Sequence, residues 1–189
     1  MSLYSYSSLL PGRDSIRLLR LLPTEDETTP IKCQLFNYRL DESDKRPPRY
    51  DALSYVWGDR QKTSSISIDE HCFDVTENLH TALRRLRDRS IEWIWVDAIC
   101  INQQDVQERG HQVRGMAKIY GKANSVLVWL GEAADGSDRA FEEIRARKKR
   151  SDSSDYRTTR NAVIALLKRP WFYRIWVSKL TLDKVDKYY

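Results

Sequence analysis

Three absences narrow this 189-residue sequence before any motif is read. Glycine is scarce, at seven residues. None falls into G-x-G-x-x-G or G-x-x-x-x-G-K-[ST], so the familiar phosphate-cradling loops are missing. Cysteine is limited to Cys33, Cys72 and Cys100, an odd number with no C-x-x-C. That argues against a disulfide framework and a zinc site and fits reduced thiols. No His/Cys/Asp/Glu spacing suggests another metal. Long apolar runs are also missing. Arg13, Asp14, Arg17 and Arg20 interrupt the N-terminus, and no window approaches the ~18 apolar residues of a membrane span. The expectation is a soluble, cytoplasmic chain without a membrane partner.

What is present is enough to build a core. Hydrophobic residues make up 41% and charged residues 31%, a balance that argues against global disorder. The net charge of +5 owes much to "RARKKR", Arg145 to Arg150. A solvated helix end is the plain reading of that run. Nucleic-acid contact is the alternative, and no motif supports it.

All six prolines lie outside residues 49–169, which hold the clearest periodic segments. "IRLLRLL" (16–22) and "IKCQLFNYRL" (31–40) alternate as a hairpin around "PTEDETTP". "YDALSYVWGD" (50–59) reads as an apolar strand ending in a turn, and "SISIDEHCFDV" (65–75) as a second hairpin. Leu79, Ala82, Leu83 and Leu86 then fall on one helical face. "EWIWVDA" (92–98) reads as a buried strand. A helix opened by Asp105 follows, with Glu108 at capping-box spacing and an expected buried stripe of Val113, Met116, Ala117 and Tyr120. "SVLVWLG" (125–131) is a third apolar strand. Helices are expected at about 138–149 and 158–168, with Trp171 and Trp176 packing the last element onto the sheet.

This order implies an α/β fold: a flavodoxin-like parallel sheet flanked by helices, with an N-terminal β hairpin as an extension. Residues 1–48 form the β-rich lead-in, 49–177 the main domain, and 178–189 a short polar tail, truncated or atypical.

Ligands of such sheets bind at the carboxyl ends of the strands. The candidate rim is therefore Tyr55, Trp57, Gly58 and Asp59 after the first core strand, and Asp97, Asn102, Gln103 and Asp105 after the second. Trp57 offers a stacking face, or simply a packed indole. Asp97 either faces a ligand or bonds nearby backbone amides, since a bare buried carboxylate is costly. Asn102 and Gln103 suit ribose hydroxyls or a base edge; Asn102 could equally organise its own loop. Glu108 reads as a helix cap, and Arg109 and Gln112 as a solvent or interaction face of the same helix. Cys100 reads as a small apolar loop residue rather than a nucleophile.

"YDALSYVWGD", "VTENLHTALRRLR", "WIWVDAICINQQDVQERGHQVRGMAKIYGKANSVLVWLGE" and "RPWFYRIW" together resemble the fungal heterokaryon incompatibility (HET) domain over residues 15–177. The resemblance implies a filamentous-fungal protein of non-self recognition that triggers programmed cell death when incompatible hyphae fuse. Protein partners or self-association are implied. The HET domain is in turn held to resemble the TIR fold, with "DAICINQQD" where the BB loop stands. That further resemblance implies NAD+ as a possible substrate, cleaved to nicotinamide and an ADP-ribose product with the help of a glutamate. A carboxylate there can stabilise an oxocarbenium-like state.

At this place HET proteins read R-x-W-x-x-Q-E. This chain reads Arg174-Ile175-Trp176-Val177-Ser178-Lys179-Leu180, so the Gln position is lysine and the Glu position leucine. The catalytic residue is thus unknown, and the chain as it stands is expected to release no nicotinamide from NAD+. Release by a variant carrying Lys179→Gln and Leu180→Glu, and by that variant alone, would bear out the TIR resemblance. A folded double variant that stays silent counts against the enzyme reading.

Overall fold

The computed structural model describes residues 2–9, 14–24, 26, 28–40, 49–87, 91–146, 156–173 and 185–188. Arg147 to Arg150, Trp176, Lys179 and Leu180 lie outside these. The strands are β1 (Ser15–Leu21), β2 (Lys32–Arg39), β3 (Asp51–Tyr55), β4 (Thr63–Ile68), β5 (His71–Thr76), β6 (Trp93–Trp95), β7 (Val126–Trp129) and β8 (Val185–Tyr188). The helices are α1 (Glu77–Arg87), α2 (Asp97–Cys100), α3 (Val106–Lys122), α4 (Ser137–Ala146) and α5 (Tyr156–Leu167), followed by a 3-10 turn at Pro170–Tyr173.

One eight-stranded sheet runs in the order β5-β4-β2-β1-β6-β3-β7-β8. The parallel part is β6-β3-β7-β8. Both expected hairpins form, with Leu19 opposite Leu35 and Ile66 opposite Phe73. The N-terminal hairpin is interior. β1 pairs antiparallel with β6 and β2 pairs parallel with β4. The cause is visible in β1, where six of seven residues are buried, Arg17 among them. Val185–Tyr188, within the segment read as a polar tail, forms a parallel edge strand on β7.

Alternation along the central strands divides the core. Val126, Val128 and Leu130 join Ala162, Leu166 and Trp171 in one cluster, while Leu127 and Trp129 join Leu79, Leu83 and Leu86 of α1 in the larger one. Helices therefore cover both faces. Trp171 crosses to the sheet, its Nε1 donating to the buried Ser54 Oγ at 3.0 Å.

Two expectations shift. The strand expected over 92–98 stops at Trp95, and Asp97 instead opens the single turn α2. The amides of Ile99 and Cys100 bond the Val96 carbonyl at 3.1 and 2.7 Å. A helical turn buries Ile99, Cys100 and Ile101 together, which strand alternation cannot do. In α3 the buried residues are Gln112, Met116 and Ile119, while Val113 and Ala117 are exposed. The helix is turned about one residue, ~100°, from the apolar stripe read in the sequence. Gln112 takes the inward place because its Nε2 donates to the Ser15 carbonyl at 2.7 Å.

Trp171 is 2% exposed, so Trp171→Ala is expected to cost about 3–5 kcal/mol in urea unfolding. An unchanged midpoint and slope would exclude this packing role.

Candidate functional site

β3, β6 and β7 are parallel, so the loops after them share one rim. Two of these loops are joined directly. Trp57 Nε1 donates to Asp97 Oδ2 at 3.0 Å, and the Ala98 amide donates to Asp97 Oδ1 at 2.8 Å. Asp97 is 9% exposed, and both of its oxygens are engaged, as a buried carboxylate requires. The Arg60 guanidinium lies over the Trp57 ring, 4.7 Å from its centroid. One face of the Trp57 ring is thus taken by a cation of the same loop.

Asn78, in the first turn of α1, joins the first loop to the third strand. Its Nδ2 donates to the Val56 carbonyl at 2.6 Å, and its Oδ1 accepts from Trp129 Nε1 at 2.9 Å. The one sequence signal for Asn78 is an amide within the first turn of an otherwise apolar-faced helix. Gly58 sits against it with φ +77, and a Cβ there would come within 3.2 Å of the Asn78 Cβ. Glycine meets both the positive φ and the close approach. The third loop is held by Arg169, whose guanidinium donates to the carbonyls of Leu130, Gly131, Glu132 and Ala134.

Several candidates are placed differently from their sequence reading. Tyr55 is 1% exposed; it lies inside the core beneath the rim. Asp59 is exposed and closes a turn, its Oδ1 accepting from the Gln61 amide at 2.9 Å. Gln103 Nε2 donates to the Asp97 carbonyl at 2.9 Å, and Asn102 Oδ1 accepts from the Gln104 amide at 3.1 Å. Both amides thus organise their own loop first. Asp105 does cap α3, accepting from the amides of Gln107 and Glu108 at 2.9 and 3.0 Å.

Glu108 does not complete a capping box. Its carboxylate takes both Nη atoms of Arg17, at 2.6 and 3.0 Å, and the Asn102 amide at 2.7 Å. The side chains of the pair are 2% and 11% exposed. Arg17 also donates to the carbonyls of Cys100 and Ser7, with the Tyr6 ring 4.9 Å away. Of the expected interaction face, Glu108 and Gln112 therefore point inward. Arg109 is exposed, its Nη1 reaching the Gln103 carbonyl at 3.1 Å.

The N-terminal residues supply what the sequence did not signal. They form a strap along β5, with Tyr4 N to Cys72 O at 3.0 Å and Cys72 N to Ser2 O at 2.9 Å. Tyr6 OH donates to the Ile99 carbonyl at 2.8 Å, and burial pushes its phenol up. Between strap, β5 and the 102–104 loop lies a groove of about 380 Å³. It includes Asn102 and Gln103 but neither Trp57 nor Asp97. The rim candidates thus separate into a locked Trp57–Asp97 contact and an open amide-lined groove. Cys100 faces neither. Burial pushes its thiol up to about 12, and its Sγ accepts from the Val96 amide, which suits a packed residue and not a nucleophile.

Among the described residues no His/Cys/Asp/Glu group could hold a metal ion, and no helix is long and apolar enough to cross a membrane. Residues 50–179, which contain the rim, match the family described as Heterokaryon incompatibility protein (HET). The chain belongs to this family. It is similar to "Heterokaryon incompatibility protein 6, OR allele" of Neurospora crassa, at 39% identity over 159 residues, covering 76% of this chain and 23% of that protein. The chain therefore spans about a quarter of its curated relative. No solved structure matches it.

Removing one member of a buried pair leaves the other charge bare. Glu108→Leu is expected to cost about 3–5 kcal/mol, and Arg17→Met added to it to recover much of that loss. Denaturant midpoints of the wild type, both single variants and the double variant check this. Additive single losses would show that the two side chains do not act as a pair.

Proposed function

We propose that this HET chain is a signalling module of fungal non-self recognition that brings on cell death when incompatible hyphae fuse. It acts in the cytoplasm through protein contacts. The observation that carries the reading is the 39% identity to a heterokaryon incompatibility protein over a span that includes the rim. The geometry favours contact over turnover. Asp97 and Glu108, the rim carboxylates withdrawn from water, are held by Trp57 and Arg17. Cleavage of NAD+ calls for a carboxylate open to the ribose; these two are engaged, and the exposed Asp59 and Asp105 each serve a local turn or helix cap. The outer face of α3 remains open, with Arg109 beside Val106 and Val113, which are 69% and 37% exposed.

Inducible expression in a filamentous fungus tests the proposal. The chain is expected to arrest growth and admit a vital dye, and a variant carrying Val106→Asp and Arg109→Glu to lose that effect while folding normally. Hyphae that stay viable while accumulating folded wild-type chain would refute the reading. Killing by the variant at wild-type strength would remove α3 as the contact face.

A further inference from the structure

The groove beside the 102–104 loop is separate from the locked Trp57–Asp97 contact, and its lining is chemically uneven. One wall is aromatic. Tyr4, Tyr6 and Phe73 meet edge to face, with centroids 5.2 to 6.2 Å apart. The facing side carries amides that the fold uses only in part. Asn102 engages its Oδ1 and Gln103 its Nε2, which leaves Asn102 Nδ2, Gln103 Oε1 and the side-chain amide of the exposed Gln104 to a visitor. Asp74 lines the same space, one oxygen held by Ser65 Oγ at 2.6 Å. Among the described residues neither lysine nor arginine lines it.

We propose that this groove captures an extended peptide, seating one aromatic side chain against Tyr4, Tyr6 and Phe73, with a neighbouring lysine or arginine on Asp74. Three observations select that occupant. The volume of about 380 Å³ lies near the lower end of the ~300–1,000 Å³ range of ligand pockets. It suits one ring and its adjoining backbone better than a dinucleotide. Among the described lining residues a phosphate finds no cation, whereas a basic side chain finds Asp74. Amide side chains that both donate and accept match the alternating groups of a peptide backbone. Beside them, the strap already shows that the edge of β5 takes up an extended segment, through the Leu3–Cys72 bridge.

The proposal deepens the signalling reading by naming the chemistry of a partner, and it is read out separately. Titration of the isotope-labelled full chain by NMR uses three probes: acetyl-Arg-Trp-amide, acetyl-Glu-Trp-amide and adenosine monophosphate. The arginyl peptide is expected to give saturable shifts at the Gln103 and Gln104 side-chain amides. Its affinity is expected to exceed that of the glutamyl peptide about tenfold and to fall by a similar factor in Asp74→Asn, as loss of a charge-assisted contact predicts. Equal affinities for the two peptides, or no saturable shift from either, would overturn the proposal. Preferred binding of the nucleotide would reassign the groove. Peptide capture without hyphal killing faults the signalling reading alone; killing by a chain that captures no peptide faults the groove alone.

Discussion

The Arg17–Glu108 pair is the constraint on which the arrangement of the rim depends. Arg17 sits inside a central strand, where a bare guanidinium would be expensive. Its neighbours answer that cost from four directions: the Ser7 carbonyl of the strap, the Cys100 carbonyl at the end of α2, the Tyr6 ring, and the Glu108 carboxylate on α3. Glu108 in turn holds the Asn102 amide. One charged pair therefore fixes where the strap, the single turn α2, the amide loop and the start of α3 stand relative to the sheet. Buried pairs of this kind add little net stability over apolar residues of the same volume. Their effect here is positional, because each partner has a directional hydrogen-bonding demand that an apolar side chain lacks.

A second set of contacts holds the other loops of the rim. Trp57–Asp97, Asn78 and Arg169 each join segments distant in sequence through polar groups with defined direction. The rim is consequently preorganised, and a partner meeting it need not supply the ordering entropy.

Much of the fold was legible in the sequence because strand alternation and helix period are local signals. Both hairpins, the parallel strands β3, β6 and β7, and helices α1, α4 and α5 were all visible that way. Asp105 was legible too, since a cap acts on its own next two or three amides. What could not be read were polar residues turned inward by distant partners. Gln112 shifted the face of α3 by bonding Ser15, 97 residues away. Arg17, read as an interruption of an apolar run, proved to be buried within it. Glu108 has the spacing of a capping box and left it for a partner 91 residues distant. The groove was half legible: Asn102 and Gln103 were picked out for their amides. Its aromatic wall was not, because Tyr4, Tyr6 and Phe73 meet only once the strap lies on β5.

The interior position of the N-terminal hairpin has a consequence for how the chain reaches this state. β1 and β2 leave the ribosome before the other strands of the sheet and can pair with each other at once. Yet β2 must wait for β4, whose Ser67 lies 35 residues beyond its partner Lys32, and β1 for β6, whose Ile94 lies 75 residues beyond its partner Leu19. Until then both outer edges of the hairpin carry unpaired backbone groups beside a highly apolar strand, a template for joining the wrong neighbour. Such long-range closure slows assembly. The buried arginine in the middle of β1 makes a stray strand partner costly, because only the completed domain offers it a carboxylate. The same residue that organises the finished rim therefore also penalises premature association of its most apolar strand.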